Sequence, residues 1–354
     1  MQSLNLLRLQ LLLYVVCAEP HKKCFPGCYC ETESFGLFDS FSLTKVDCRG
    51  VGPHLTPIPI PLDTSYLDLS SSNLKTLGEA MLTGPGYTTL VSLDLSYNQI
   101  TEFEANTFSK LRYLESLDLS HNSLQSLQDG SFSNPSLEDI DISNNRLQEI
   151  NLNIFMPKIH GKPINIDLSN NEIRSVVNGL NENIPFIQGF NLSGNRLTSV
   201  PNLKGFLLRY LSLDNNPITK IEENAFSGMV ELTHLSLANL PTLTEIASNS
   251  FSGLSALQVL DLSGNPQLKA LYAEVFSGLL SLQELNLSNT AVNMLPQNIL
   301  QYLPSVKTIT LGNNTRCFKT VRNGQFHRQL GVTKTGMVLK CYNQTKPDVM
   351  SHII

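Results

Sequence analysis

Aliphatic residues recur along the chain at fixed offsets. The pattern L-x-x-L-x-L-x-x-N-x-L runs intact through residues 90–100 (LVSLDLSYNQI) and 114–124 (LESLDLSHNSL). It returns at 137–147, 163–173, 187–197 and 208–218, and weaker copies start near Thr64, Leu232, Leu257, Leu282 and Val306. Its sixth position falls at residues 69, 95, 119, 142, 168, 192, 213, 237, 262, 287 and 311, so eleven copies follow one another at intervals of 21 to 26 residues. A fixed period of this length means one stacked array rather than several unrelated domains. The central L-x-L alternates apolar and polar positions, which predicts a short strand with two side chains turned inward.

The repeat therefore predicts an α/β leucine-rich-repeat solenoid, a curved horseshoe with a parallel β-sheet on its concave face. At a strand spacing of about 4.8 Å, eleven strands make an inner arc on the order of 50 Å. Asparagine at position nine (Asn98, Asn122, Asn145, Asn171, Asn195, Asn216, Asn265, Asn314) is expected to turn the chain and to bond backbone groups of adjacent turns. Phe108, Phe132, Phe226, Phe251 and Phe276 recur outside the strand and are expected to stack in the convex core. An open solenoid exposes core at both ends and needs caps. The layout read from the pattern is a leader at 1–18, an N-terminal Cys-rich cap with a Pro-rich lead-in at 19–61, repeats at 62–316, and a basic disulfide cap and tail at 317–354.

Composition sharpens this picture. With 41% hydrophobic and 16% charged residues the chain is too apolar to be disordered. A formal charge of −5 argues against nucleic acid as a partner of the whole chain. Residues 4–16 form a short apolar run ahead of Val16-Cys17-Ala18, which reads as a cleaved secretory signal; the run is too short to span a bilayer. Nothing later is apolar enough to span, so the mature chain is expected in the extracellular space or matrix. Cleavage removes Cys17 and leaves six cysteines in an oxidising compartment: Cys24, Cys28, Cys30 and Cys48 before the repeats, Cys317 and Cys341 after them. No histidine stands at zinc-ligand spacing beside the first cluster, so disulfides are expected there. Sequence leaves three connectivities open for those four.

The C-x3-C-x-C cluster, the repeats and the C-terminal Cys pair together resemble the small leucine-rich proteoglycan family. Longer strings, among them CFPGCYCETESFGLFDSFSLTKVDC, PIPIPLDTSYLDLSSSNL and LRYLSLDNNPI, carry the resemblance across the mature chain. The resemblance alone pairs Cys24 with Cys30, Cys28 with Cys48 and Cys317 with Cys341. It also implies a secreted modulator of morphogen and growth-factor signalling. The partners it implies are bone morphogenetic proteins together with chordin, the Frizzled receptor in competition with Wnt, transforming growth factor-beta, fibroblast growth factor, and Delta in the Notch pathway. Collagen binding, as in other members, is the alternative. Five Ser-Gly pairs (Ser193, Ser227, Ser252, Ser263, Ser277) fall on repeat-pattern positions, so a glycoprotein is expected rather than a proteoglycan.

Two surfaces are candidates for binding. Position five reads Asp68, Asp94, Asp118, Asp141, Asp167, then Asn191, Ser212, Ser236, Asp261, Asn286 and Thr310. Stacked carboxylates roughly 5 Å apart repel one another and must be screened, protonated or met by a basic partner. Tyr97, His121 and Asp139 are expected to flank this column on the concave face. Residues 285–347 carry no Asp or Glu but eight Lys or Arg, among them Lys307, Arg316, Lys319, Arg322, Arg328, Lys334 and Lys340. Such a basic cap suits heparan sulfate or another acidic partner. N-glycosylation sequons stand at Asn191, Asn286, Asn313 and Asn343, a number that chance alone would give. Glycans at Asn191 and Asn286 would obstruct the C-terminal part of the concave face. No nucleotide, metalloprotease or nucleophile-elbow motif is present. His121 and His234 stand on the order of 20 Å apart by strand spacing, too far for shared acid–base work. Carboxylates on rigid strands do not wrap a calcium ion. Neither an enzyme, a metal site nor a cofactor is expected.

Overall fold

The computed structural model describes residues 22–35, 41–53, 57–156, 161–178, 184–296, 298–312, 315–327, 332–343 and 350–353. The leader at 1–18, Asn313, Asn314 and Arg328 lie outside them. The side chains of Arg322, Lys334 and Asn343 are likewise outside what is described.

Each repeat contributes one short strand to a single parallel sheet, from Thr64–Asp68 in repeat one, through Ser92–Asp94, Ser116–Asp118, Asp139–Asp141, Ile164–Asp167 and Ile187–Asn191, to Thr308–Thr310 in repeat eleven. Like pairs with like. Leu67, Leu93, Leu117 and Ile140 stand opposite one another, as do Asp68, Asp94, Asp118, Asp141, Asp167 and Asn191. Between repeats there is one register shift, at Ile164 and Asn165, where Gln188 is the extra residue in the longer strand of repeat six. The inward residues at positions four and six are buried from Leu67 and Leu69 to Ile309 and Leu311. They form the inner wall of one continuous core.

The asparagine at position nine locks each turn to its neighbours. Asn122 Nδ2 donates to the carbonyls of Leu95, Leu119 and Ser120, while its Oδ1 accepts from the Ile100 amide. Asn98, Asn145 and Asn171 repeat that arrangement. Buried backbone groups need a partner, and one short amide side chain supplies several of them at once.

The convex side is built from turns, 3-10 segments such as Leu152–Phe155 and Ala273–Phe276, and short two-stranded pairings such as Glu149–Asn151 with Ser175–Val177. Among the described residues the one α-helix, Ile299–Tyr302, has four residues. The phenylalanines stack in two groups: Phe108, Phe132 and Phe155 in one, with neighbouring centroids 6.4 and 5.5 Å apart, and Phe226 with Phe251 at 5.7 Å in the other.

Position eight, just beyond the strand, holds left-handed backbone in repeats one to ten. It is occupied by Ser71, Tyr97, His121, Asn144, Asn170, Gly194, Asn215, Asn239, Gly264 and Asn289, all with φ between 53° and 67°. For a residue with a Cβ that conformation costs roughly 1–2 kcal/mol, least for asparagine. The glycine of every Ser-Gly pair (Gly194, Gly228, Gly253, Gly264, Gly278) also has positive φ. These pairs therefore serve the turns.

Both ends of the sheet are closed by antiparallel strands. At the N-terminal end Lys22–Phe25, Cys28–Phe35 and Phe41–Asp47 form a meander whose last strand runs parallel to repeat one. At the C-terminal end Thr315–His327 pairs with Thr308–Thr310 and turns back as Val332–Asn343, with Met350–Ile353 alongside. Disulfides join Cys24 to Cys30 and Cys28 to Cys48 in the first cap, and Cys317 to Cys341 in the second.

Candidate functional site

The concave column of position five is in register, and its carboxylates have an internal role. Asp94 Oδ1 accepts from the Ser96 amide at 2.8 Å, and Asp118, Asp141 and Asp167 accept in the same way from Ser120, Ser143 and Ser169. Asp68 does so from Ser70. The backbone N–H two residues on is the donor, so each aspartate closes the strand with an Asx-type turn. Asn191 and Asn286 fill the same place, accepting from Ser193 and Ser288. Their amide nitrogens also donate to the preceding carboxylates, Asn191 to Asp167 at 2.9 Å and Asn286 to Asp261 at 3.3 Å. Both sequon asparagines are thus half-buried members of the sheet.

Repulsion along the column is met unevenly. At its N-terminal end Arg49 pairs with Asp47 at 2.5 Å and lies 3.4 Å from Asp68. Asp47 stands in register with Asp68, which lengthens the acidic column by one residue into the cap. Neither Asp47 nor Arg49 was expected from the repeats, although Val46-Asp47-Cys48 imitates L-D-L. In the middle of the column no such cation among the described residues sits beside Asp141. Burial raises its carboxyl above the ordinary 3.8, and Asp118 and Asp167 add to the effect against the pull of the Ser143 amide. Asp68 is raised by burial too, and Tyr66 on the neighbouring column is pushed up to about 12 by burial and by Asp68 and Asp94.

A carboxyl raised in the folded state stabilises that state fully below its unfolded value and loses the contribution as pH rises through the folded value. Asp141→Asn keeps the Oδ1 acceptor and removes the charge. It is expected to raise the melting temperature at pH 7 by about 1–2 °C, and the gain should vanish near pH 3. Thermal scans at the two pH values check this; an equal gain at both would mean that charge is not the cause.

Between repeats three and seven the concave face deepens into a hollow of about 600 Å³. Asp118, Asp139, Asp141 and Asp167 line it, with Asn165, Asn191 and Tyr210. Asp139 is exposed on position three, one column over from Asp141, and accepts from Asn165 Nδ2 at 2.9 Å. Gly189 leaves room for this: a Cβ there would stand 2.5 Å from Asn165 Oδ1. On the rim Lys162 bridges Glu115, at 3.0 Å, and Glu138. Asn165, Tyr210 and Lys162 carry no repeat signal that marks them in advance.

Tyr97 and His121 follow Asp94 and Asp118 by three residues. They sit at position eight, in the left-handed turn after the strand, rather than in a strand column. Their rings stack on each other, with centroids 4.2 Å apart and planes 9° from parallel.

Four basic residues of the C-terminal region are described with their side chains or their register. Lys307 donates to Gln283 at 2.7 Å and Lys319 to the Pro304 carbonyl. Arg316 and Lys340 lie on the hairpin, opposite Tyr342 and Phe318. Arg316 and Phe318 line a second hollow of about 410 Å³ with Glu284, Asn286 and Thr310. Among the described residues no His, Cys, Asp and Glu group is placed to hold a metal ion, and no helix is long and apolar enough to cross a membrane.

A curved parallel sheet, asparagine-locked turns and disulfides near both ends define a leucine-rich-repeat protein, a class that acts by presenting one surface to other proteins. The model for the leucine rich repeat family matches residues 64–124, 112–157, 206–266 and 239–292. Tsukushi of Gallus gallus is 61% identical over 92% of this chain and 89% of its own. Tsukushi-A of Xenopus laevis is 58% identical over 90% and 91%, and Tsukushi of Homo sapiens 53% over 91% and 92%. The chain belongs to the tsukushi family. Among solved structures, the LRIM1/APL1C complex contains a chain of like fold (TM-score 0.55, 26% identical) that matches over 70% of this chain and 43% of its own. A chain of the Toll–Spatzle complex shares the fold at a TM-score of 0.58 and 23% identity, over 71% of this chain and 35% of its own.

Proposed function

We propose that the protein is secreted and modulates growth-factor and morphogen signalling by gripping a basic protein surface with the N-terminal half of its concave sheet. The acidic hollow carries this reading: Asp118, Asp139, Asp141 and Asp167 converge there on a rigid sheet. A rigid site loses little freedom on binding, and stacked carboxylates gain most from a cationic partner. The disulfide-closed ends suit an oxidising compartment. The partners fitting this reading are bone morphogenetic proteins with chordin, a Frizzled receptor, transforming growth factor-beta, fibroblast growth factor and Delta. Glycans, where present, sit best at Asn313 and Asn343 in the C-terminal region, leaving this hollow open. Arg316 and Lys340, interleaved with Phe318 and Tyr342 on the hairpin, favour a second contact with a sulfated glycan such as heparan sulfate.

The test compares wild type with a variant carrying Asn at 94, 118, 141 and 167. Asparagine keeps each turn, as Asn191 shows, so the fold should survive. Binding to an immobilised bone morphogenetic protein and to a Frizzled cysteine-rich domain is expected to weaken at least about tenfold, ~1.4 kcal/mol. Equal binding by the two proteins sinks the acidic face as the site.

A further inference from the structure

Tyr97 and His121 are out of keeping with their column. Position eight is otherwise Ser, Asn or Gly in the repeats with described left-handed backbone there, all small residues without a ring. The two rings add nothing to the core: both are exposed, Tyr97 at 60%. Nor does the turn need them. The Tyr97 and His121 amides bond the carbonyls of Ser120 and Ser143, as the Asn144 amide bonds that of Ser169. The chain therefore bears two strained positions in adjacent repeats and holds out of them a flat, nearly parallel aromatic stack.

The stack stands three residues beyond Asp94, on the strand that precedes the hollow, and Asp118, on the first strand that lines it. Each of those aspartates uses Oδ1 to close its turn, and no donor among the described residues bonds the second oxygen. An aromatic face next to carboxylates distinguishes the two biological cations. A guanidinium is planar and weakly hydrated, so it can lie on a ring and still bond a carboxylate through its edge; an ammonium is a compact, strongly hydrated point charge.

We propose that Tyr97 and His121 form an arginine platform, on which an arginine of a partner protein's extended segment stacks while Asp94 or Asp118 takes its N–H groups. This rests on the acidic concave face being the binding face and adds which cation it selects. The occupant is a protein segment rich in arginine rather than lysine, entering the hollow from the repeat-two side.

The test uses two synthetic peptides of equal length and charge, one with arginine and one with lysine at alternate positions. They are titrated into the wild-type protein and into the variant Tyr97→Asn/His121→Asn. Asparagine suits the left-handed turn, so the variant should melt at or above the wild-type temperature. The wild type is expected to prefer the arginine peptide by about fivefold, ~1 kcal/mol. The variant should bind the two peptides equally, with its lysine-peptide affinity unchanged. A preference that survives in the variant overturns the platform, as does a wild type that binds both peptides alike; in the latter case the acidic face stands without it. If neither peptide binds, the acidic face falls and the platform with it. A variant that melts several degrees lower shows that the stack holds the turn, and the proposal fails on that result too.

Discussion

Replacing Asn145 with alanine is expected to lower stability by about 3 kcal/mol, because its two amide hydrogens, shared among three carbonyls, and its Oδ1 are worth ~1 kcal/mol each. Its Nδ2 donates to the carbonyls of Leu119, Ile142 and Ser143, and its Oδ1 accepts from the Leu124 amide, all within 3.1 Å. Alanine leaves the Leu124 amide without a partner in a place water does not reach, while the three carbonyls keep one donor each: Asn122 Nδ2 on Leu119, Asn171 Nδ2 on Ile142 and the His121 amide on Ser143. The chain itself indicates which replacement is tolerable. Thr290 stands at position nine of repeat ten, donates to the Leu287 carbonyl and accepts from the Val292 amide. Asn145→Thr is therefore expected to recover about half of the loss. Position five has its own substitute: in repeat eight, where it is Ser236, Asp214 of the preceding repeat accepts from the Ala238 amide at 2.7 Å and from Ser236 Oγ at 2.9 Å. Urea unfolding of the two variants is the measurement. A loss below about 1 kcal/mol in the alanine variant would mean that the ladder orients the turns without stabilising them.

The contrast between Asn145 and Tyr97 explains what could be read from the chain beforehand. A repeat reports whatever every turn needs. Leucines, position-nine asparagines and convex phenylalanines recur because each stacked unit must bury the same face and satisfy the same carbonyls, so the fold was legible at once. The acidic column was legible for the same reason, but periodicity conceals its cause. Aspartate recurs at position five because it closes a turn, and the binding proposed for the same carboxylates is an added use that the period does not mark. Departures from the period carry the local detail, and those need coordinates. The register shift at Ile164, the space at Gly189 that admits Asn165, and Lys162 between Glu115 and Glu138 are all single events. Arg49 was overlooked because it lies before the first repeat, where Asp47 continues the column in a strand of the cap.

Removing the bridge between Cys28 and Cys48 with a double alanine replacement is expected to cost about 3 kcal/mol, by the entropy of a loop of about 20 residues. Where that loss appears should be as informative as its size. Both cysteines are fully buried at the N-terminal end of the core beside Val46. The Cys48 amide bonds the Asp68 carbonyl at 2.8 Å, so this cap extends the sheet over repeat one. In a solenoid each turn contacts only its neighbours, and an uncapped end frays inward. Amide hydrogen exchange should therefore quicken first in Thr64–Asp68 and then in Ser92–Asp94, with Val259–Asp261 and Glu284–Asn286 keeping wild-type protection. The strands bearing Asp94 and Asp118 lie in the path of that fraying. A growth factor held by the acidic half of the sheet should then bind more weakly to the uncapped protein, although no residue of the face has changed. Exchange that quickens equally in all eleven repeats would show the array to melt as one unit, and would leave the bridge no special part in holding the binding face.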